Sequence, residues 1–360
     1  MSEQHPNPYI GLPETAFWKR AVAARNPLEI SHLWQPKFPV ARKHKVITAG
    51  SCFAQHFSRA LVARGYGWQD AEPAPALLNE EQARDFNYGI FSFRTGNIYT
   101  ARMLRQWLSY AFEGEEPPVE CWEKEGRLYD PLRPGIEPDG FADLAELQAS
   151  RSAVLAAIRN AVMGADVFVF TMGLTECWRH RTSELEYAMC PGTLAGSFDP
   201  DQHEFVNQSF VGIRRDMMAA LKILRQANPK LKVLLTVSPV PLTATASGEH
   251  VLTATSHSKS VLRAVAGEVA AEFKHVDYFP SYEIITHPAY RGMFYAPNQR
   301  SVVPQGVNHV MESFFACQSE AFPWLARKSK RGGAKQGGSK DAASSARAVK
   351  CDEEFLDAFG

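Results

Sequence analysis

No two cysteines stand at CxxC spacing, and the six present (Cys52, Cys121, Cys177, Cys190, Cys317, Cys351) are scattered without clustered histidines. A zinc site and a disulfide framework are therefore set aside, and a reducing compartment is expected. Apolar runs are short as well: VFVF at 167–170 and VLLTV at 233–237 fall far below the ~20 residues a membrane helix needs. The stretch MSEQHPNPYIGLPE has neither a basic n-region nor an apolar core, so no secretory signal is expected and the protein reads as cytoplasmic. Excess charge is missing too, since 39 Lys and Arg balance 39 Asp and Glu. That balance argues against a basic coat for nucleic acid and against a wholly disordered acidic chain. A Walker-type Gly-rich loop and a Rossmann fingerprint are both lacking, so no nucleotide cofactor is expected.

The 360 residues suffice for two domains or for one large α/β domain with insertions, at about 150 residues per domain. Short β-branched runs alternate with longer helical patterns. Val46–Ala49, Asp166–Thr171, Lys232–Val237 and Val276–Phe279 read as buried strands. The segments near 53–64, 102–112, 142–163, 210–226, 258–273 and 306–317 carry apolar residues at helical spacing. Strands too few for a (β/α)₈ barrel, buried on both faces, predict a three-layer α/β/α sandwich with a mostly parallel central sheet. Residues 1–45 form an N-terminal extension, 46–326 the domain, with an insertion near 66–141. Residues 327–360 are expected to be a disordered tail, whose Lys/Arg/Gly/Ser/Ala-rich part at 327–350 cannot offset its chain entropy. Eight basic residues and one acid stand in that part, and four acids and no base stand in the last ten. The remaining body is mildly acidic, and the argument against nucleic acid applies to it alone.

The most informative junction is Val46-Ile47-Thr48-Ala49-Gly50-Ser51-Cys52-Phe53-Ala54, a strand running through a tight turn into a helix. It sets Ser51 and Cys52 at a strand's carboxyl edge, where α/β folds bind ligands, and at a helix N-terminus, where amides and dipole favour an oxyanion or thiolate. In the plainer reading, Ser51 caps the helix and Cys52 packs in the core.

The string GSCFA at 50–54 resembles the signature of the GSCFA family, whose members look like distant relatives of SGNH/GDSL hydrolases. TMGLTECW at 171–178, LTVSPVPLTAT at 235–245, SKSVLR at 258–263, YFPSYEI at 278–284 and FY at 294–295 continue the resemblance in order. It implies acyl-ester chemistry at the carboxyl ends of the strands of an α/β/α fold. Gly50-Ser51-Cys52 takes the place of the Gly-Asp-Ser block, with Cys52 at the nucleophile's position, or Ser51 if the turn is shifted by one. The second block's oxyanion glycine corresponds to Gly89, with Gly96 as the alternative. Gly173-Leu174-Thr175-Glu176 matches the third block, Gly-x-Asn-Asp, with Thr175 in place of the oxyanion-binding Asn. Glu176 either orients a partner or caps a following helix.

The departure is greatest at the Asp-x-x-His block, where Asn298 and Ser301 occupy the Asp and His positions. The nearest histidine is His309, which takes the base role if a loop insertion allows it; His250 and His257 are held in reserve. Arg300 either holds a carboxylate or phosphate or is solvated. The resulting expectation is an esterase or O-acyltransferase without metal or cofactor, acting on a small-molecule or glycan acyl ester. The alternative is a non-catalytic protein that binds a glycan or another protein.

Overall fold

The computed structural model describes residues 7–326 and 351–359. The chain runs through β1 (Lys45–Gly50), α1 (Ala54–Ala63), β2 (Gly67–Trp68), α2 (Glu80–Asp85), α3 (Ala101–Phe112), a hairpin of β3 (Trp122–Lys124) and β4 (Arg127–Tyr129), and α4 (Leu144–Gly164). There follow β5 (Val167–Met172), β6 (Glu176–His180), β7 (Glu186–Tyr187), β8 (His203–Asn207), α5 (Phe210–Ala227), β9 (Lys232–Val237), α6 (Val251–Glu272), β10 (Val276–Tyr278), α7 (Ser281–Thr286) and α8 (Pro304–Ala321). Side-chain caps fix several helix starts: Asp143 and Ser209 accept from the Glu146 and Gly212 amides, satisfying donors that have no intrahelical partner.

The central sheet has five strands in the order β10-β9-β5-β1-β2, every pair parallel. Alternating residues serve its two faces. Ile47, Ala49, Phe168, Phe170, Val233 and Leu235 join a core built with α3, α4, α5 and α6. Val46, Val167, Val169 and Leu234 join a second core with α1, α7 and α8. The expected α/β fold with helices on both faces of a parallel sheet is thus present. Phe57, Phe279 and Trp34 surround Phe314 in the second core at ring separations of 5.0–5.4 Å, each such pair contributing about 0.5–1.5 kcal/mol beyond its burial. Residues 30–40 of the N-terminal extension close this face, with Val40 donating its amide to Gln318 Oε1 at 2.9 Å.

Strand connections reverse direction between β1 and β5. From β1 the chain moves outward to β2, and from β5 it moves the opposite way to β9 and β10. That crevice, at the carboxyl ends, is where an open α/β sheet receives ligands.

Within the stretch at 66–141, Gly67–Trp68 form the sheet's edge strand, and α3 packs into the first core. The hairpin and the loop after it are anchored through buried Asp130, which pairs with Arg133 Nε at 3.0 Å and Arg151 Nη2 at 2.7 Å. A three-stranded antiparallel sheet, β7-β6-β8, follows β5 and was not anticipated. Of the expected tail, residues 327–350 lie outside the described residues, whereas Asp352–Phe359 form a 3-10 segment. No helix among the described residues is long and apolar enough to cross a membrane.

Glu186 on β7 is enclosed, accepting from the Thr100 hydroxyl and from Gln208 Nε2, and burial pushes its carboxyl up from 4.5 to about 7. The folded chain holds this proton more tightly than the unfolded chain. Its contribution is therefore complete below about pH 4.5 and is lost as pH rises through about 7. Glu186→Gln should match wild type in urea unfolding at pH 4.5 and exceed it by about 2–3 kcal/mol at pH 8. Stability differences that do not grow with pH would contradict this assignment.

Candidate active site

Gly50 ends β1 at φ +133°, and a Cβ there would stand 2.3 Å from the Thr171 carbonyl oxygen. Only glycine lets β1 and β5 stay in register to their last rung, Gly50 opposite Thr171. Gly173, just past β5, makes the reciprocal approach, for its Cβ would lie 2.9 Å from both Ser51 Cβ and Tyr99 Cδ1. The loop after β5 therefore lies directly on the Ser51 and Tyr99 side chains, with no room for a side chain of its own at position 173. Ser51 N–H donates to Thr171 O at 2.9 Å, and the Ser51 and Cys52 carbonyls accept from Ala54 and Gln55 as α1 begins.

Ser51 and Cys52 end up in different surroundings. The Ser51 hydroxyl is enclosed beneath Gly173 and has no hydrogen-bond partner. Cys52, although 4% exposed, borders a groove of about 1530 Å³ whose walls include His56, Arg59, Gly89, Arg300 and Cys351. Geometry thus favours Cys52 over Ser51 as the group a ligand meets. His56, four residues after Cys52 in the first turn of α1, packs against Phe53, and burial lowers its imidazole to about 4, leaving it neutral at pH 7.

Three distant parts of the chain converge on Cys52. From α6, Lys259 is 2% exposed and donates through Nζ to the Gly173 carbonyl at 2.6 Å. Burial lowers its ammonium to about 8, although Glu353 and Cys52 pull in the other direction. From the loop before α8, Arg300 Nη2 reaches Cys351 Sγ at 3.7 Å and Glu353 Oε2 at 3.4 Å. From the 351–359 segment, Cys351 sits between Cys52, Tyr99 Oη at 3.7 Å and Arg300. The hydrogen bond that Cys52 makes to Cys351, then burial, then the nearby charges of Cys351 and Glu353, hold the Cys52 thiol well above its ordinary range. Cys351, accepting that bond, is lowered.

The other anticipated residues are placed as follows. Gly89 takes a left-handed turn at φ +65° on the groove wall. The Gly173 N–H donates to Tyr99 O at 2.8 Å, and the Thr175 hydroxyl donates to Asn207 Oδ1 at 2.7 Å, so both donors are engaged away from the groove. Glu176 opens β6 and caps no helix; its Oε1 accepts from the Thr245 hydroxyl at 2.8 Å. His309 is not among the groove's walls: its ring stacks on Phe294 at 5.2 Å and faces Tyr290 at 5.7 Å. His250 is an N-cap, accepting from Leu252 N–H at 3.2 Å. At the Asp-x-x-His positions, Asn298 Nδ2 donates to Ser301 Oγ at 2.9 Å. Among the described residues, no group of three or more His, Cys, Asp or Glu is arranged to hold a metal ion.

Sequence reasoning singled out SKSVLR as a string but gave Lys259 no role. Its signal was positional: Lys259 stands on the stripe with Leu262, Ala266 and Val269, all buried, where a charge is out of place unless it is used.

Because the folded pKa of Lys259 is depressed, the folded chain is penalised wherever the amine is charged, fully below about pH 8, and the penalty is relieved as pH rises further. Lys259→Met should stabilise the protein by about 2 kcal/mol at pH 7, after about 1 kcal/mol for the orphaned Gly173 carbonyl. Urea unfolding at pH 7 and pH 9.5 should show that advantage shrinking at the higher pH.

No curated protein matches the chain at a significant level. The model of the GSCFA family matches residues 45–314, from the first residue of β1 into α8, a span that contains Cys52, Lys259 and Arg300. The chain belongs to the GSCFA family.

Proposed function

We propose that this protein is an acyl-transfer enzyme of SGNH-like design, an esterase or O-acyltransferase in which Cys52 is the nucleophile and Lys259 the proton acceptor. The observation that carries the reading is the convergence of Cys52, Lys259 and Arg300 at the crevice between β1 and β5. A neutral Lys259 amine takes the Cys52 proton, and the thiolate adds to the acyl carbonyl carbon. The negative charge that develops on the carbonyl oxygen is met by the positive end of the α1 dipole, a preorganised field of the kind that lowers such barriers. The ester C–O bond then breaks, and the departing oxygen takes the proton back from Lys259. Water or an acceptor hydroxyl cleaves the resulting thioester by the same route in reverse, giving acid or a new ester.

Lysine fits the vacancy in this chain's acid–base set. Histidine at the expected position is replaced by Ser301, His309 faces Phe294, and His56 is too weak a base. A lysine held near pH 8 in a dry pocket is poised to accept a proton close to neutrality. The Asn298–Ser301 pair favours a second reading, a glycan- or protein-binding domain without turnover.

Hydrolysis of p-nitrophenyl acetate separates the two, measured on the Cys351→Ala chain so that the Cys52 sulfur is uncovered. Turnover should rise with pH through about 8, as Lys259 becomes neutral. Cys52→Ala in that background should lower it by at least about 100-fold. Lys259→Met should lower it by about 10²–10⁴-fold and abolish the rise, and Lys259→Arg should not restore it. Activity that survives Cys52→Ala removes the nucleophile, and an inert chain leaves the binding reading.

A further inference from the structure

Glu353 is an unusual occupant of this site. It belongs to a segment of four acids and no base among residues 351–360, yet its side chain is only 11% exposed, against 17% for its partner Arg300. The Thr243 amide donates to its carboxylate, and Lys259 is close enough to favour its charged form, against the burial that opposes it. A guanidinium and a backbone N–H thus face one carboxylate at the edge of the crevice where Cys52 lies, with Lys259 nearby. Donors of this set match the charge and lone pairs of a planar anion.

The attachment is confined to the first residues of the segment. Cys351 is buried over Cys52. Asp352 accepts from Asn97 Nδ2 at 2.7 Å, where Gly96 and Gly135 bring no side chain against its carboxylate. Beyond Glu354, whose Oε1 stands 3.9 Å from Arg300 Nη1, contact fades, with Phe355 41% and Phe359 70% exposed. Neither of the two large cores includes a residue of the segment, so its displacement leaves the sheet and helices intact.

We propose that Arg300 and the Thr243 amide form a subsite for a carboxylate on the ligand, and that Glu353 fills it when no ligand is bound, holding Cys351 over Cys52. The proposal rests on the assignment of Cys52 as the reacting group and adds a substrate class, acyl compounds that carry a carboxylate near the acyl centre. Ligand and segment then exclude one another. With the segment seated, Cys52 donates to Cys351 and lies beside an added negative charge, both of which suppress the thiolate. Loss of the segment leaves Arg300 beside Cys52, a neighbour that favours the thiolate.

Iodoacetamide labelling of Cys52, followed by mass spectrometry of its peptide, tests this on the full chain without requiring turnover. A protease site placed within 327–350 and cut after purification releases the segment from a domain that is already folded. Labelling should be slow in the intact chain and at least about ten-fold faster after cutting and gel filtration, and also in the Asp352→Asn/Glu353→Gln double variant. In the opened chain, millimolar glutarate should slow labelling again whereas glutaramide should not. Arg300→Gln should abolish that protection, and Arg300→Lys should keep part of it, with circular dichroism confirming that both are folded. Labelling that is equally fast with and without the segment overturns the cover. Faster labelling on opening, with no difference between glutarate and glutaramide, overturns the carboxylate subsite. Glutarate protection in a chain that hydrolyses no ester upholds the subsite and places the failure in the catalytic reading.

Discussion

Two close approaches, each requiring a glycine without a Cβ, set everything at the carboxyl edge of the sheet. Gly50 lies against Thr171, and Gly173 lies against Ser51. The first carries the β1–β5 register to the end of β1, and the second seats the loop after β5 on the turn after β1. Cys52 follows from these contacts, because one residue past Ser51 the chain must already be turning into α1. Lys259 follows as well, since its ammonium is anchored on the carbonyl of the same Gly173. A nucleophile candidate and a proton-acceptor candidate 207 positions apart in sequence are thus referenced to one short piece of main chain.

Burial makes the electrostatics of this arrangement consequential. In a dry pocket each charge acts strongly on its neighbours, and an unpaired charge is costly. Lys259 responds by giving up its proton near pH 8, and Cys52 by keeping its own. Arg300 cannot respond in that way, since guanidinium stays charged, and Glu353 supplies its counter-charge. The pocket is therefore balanced only while an anion is present, whether that anion comes from the chain or from elsewhere. The amide–hydroxyl pair of Asn298 and Ser301 adds neither a base nor a charge.

Much of the scaffold was legible. The β-branched and aromatic runs at 46–49, 166–171 and 232–237 could scarcely be anything but buried parallel strands, and the helical stripes between them fixed the layers. β2 escaped notice because two residues carry no periodicity. The sheet of β6, β7 and β8 escaped because its strands mix Glu, Cys, Trp, Arg and His on a half-buried surface, and Glu176 looked equally suited to a helix start. At the site, the GSC turn announced itself through local geometry. What stayed hidden was contact over long separations: nothing near Cys351 or Glu353 in sequence indicates Cys52 or Arg300, and an acidic stretch after a basic one reads most simply as solvated. The surroundings of His309 were hidden for the same reason, since proximity in sequence to the last block said nothing about which side of α8 its ring would take.

The close approach of the strand-end loops also divides the site by how freely it can change. Its floor is main chain, with no side chain at Gly50 or Gly173 to exchange, so the position of the sulfur is insulated from substitutions nearby. Its walls come from pieces that cross the groove from outside the sheet: the loop around Gly89, the turn carrying Arg300, and the 351–359 segment. A chain of this design can acquire a taste for a different molecule by rebuilding one wall, with the reacting atom left where the floor holds it, and the same division tells an engineer which residues to leave alone.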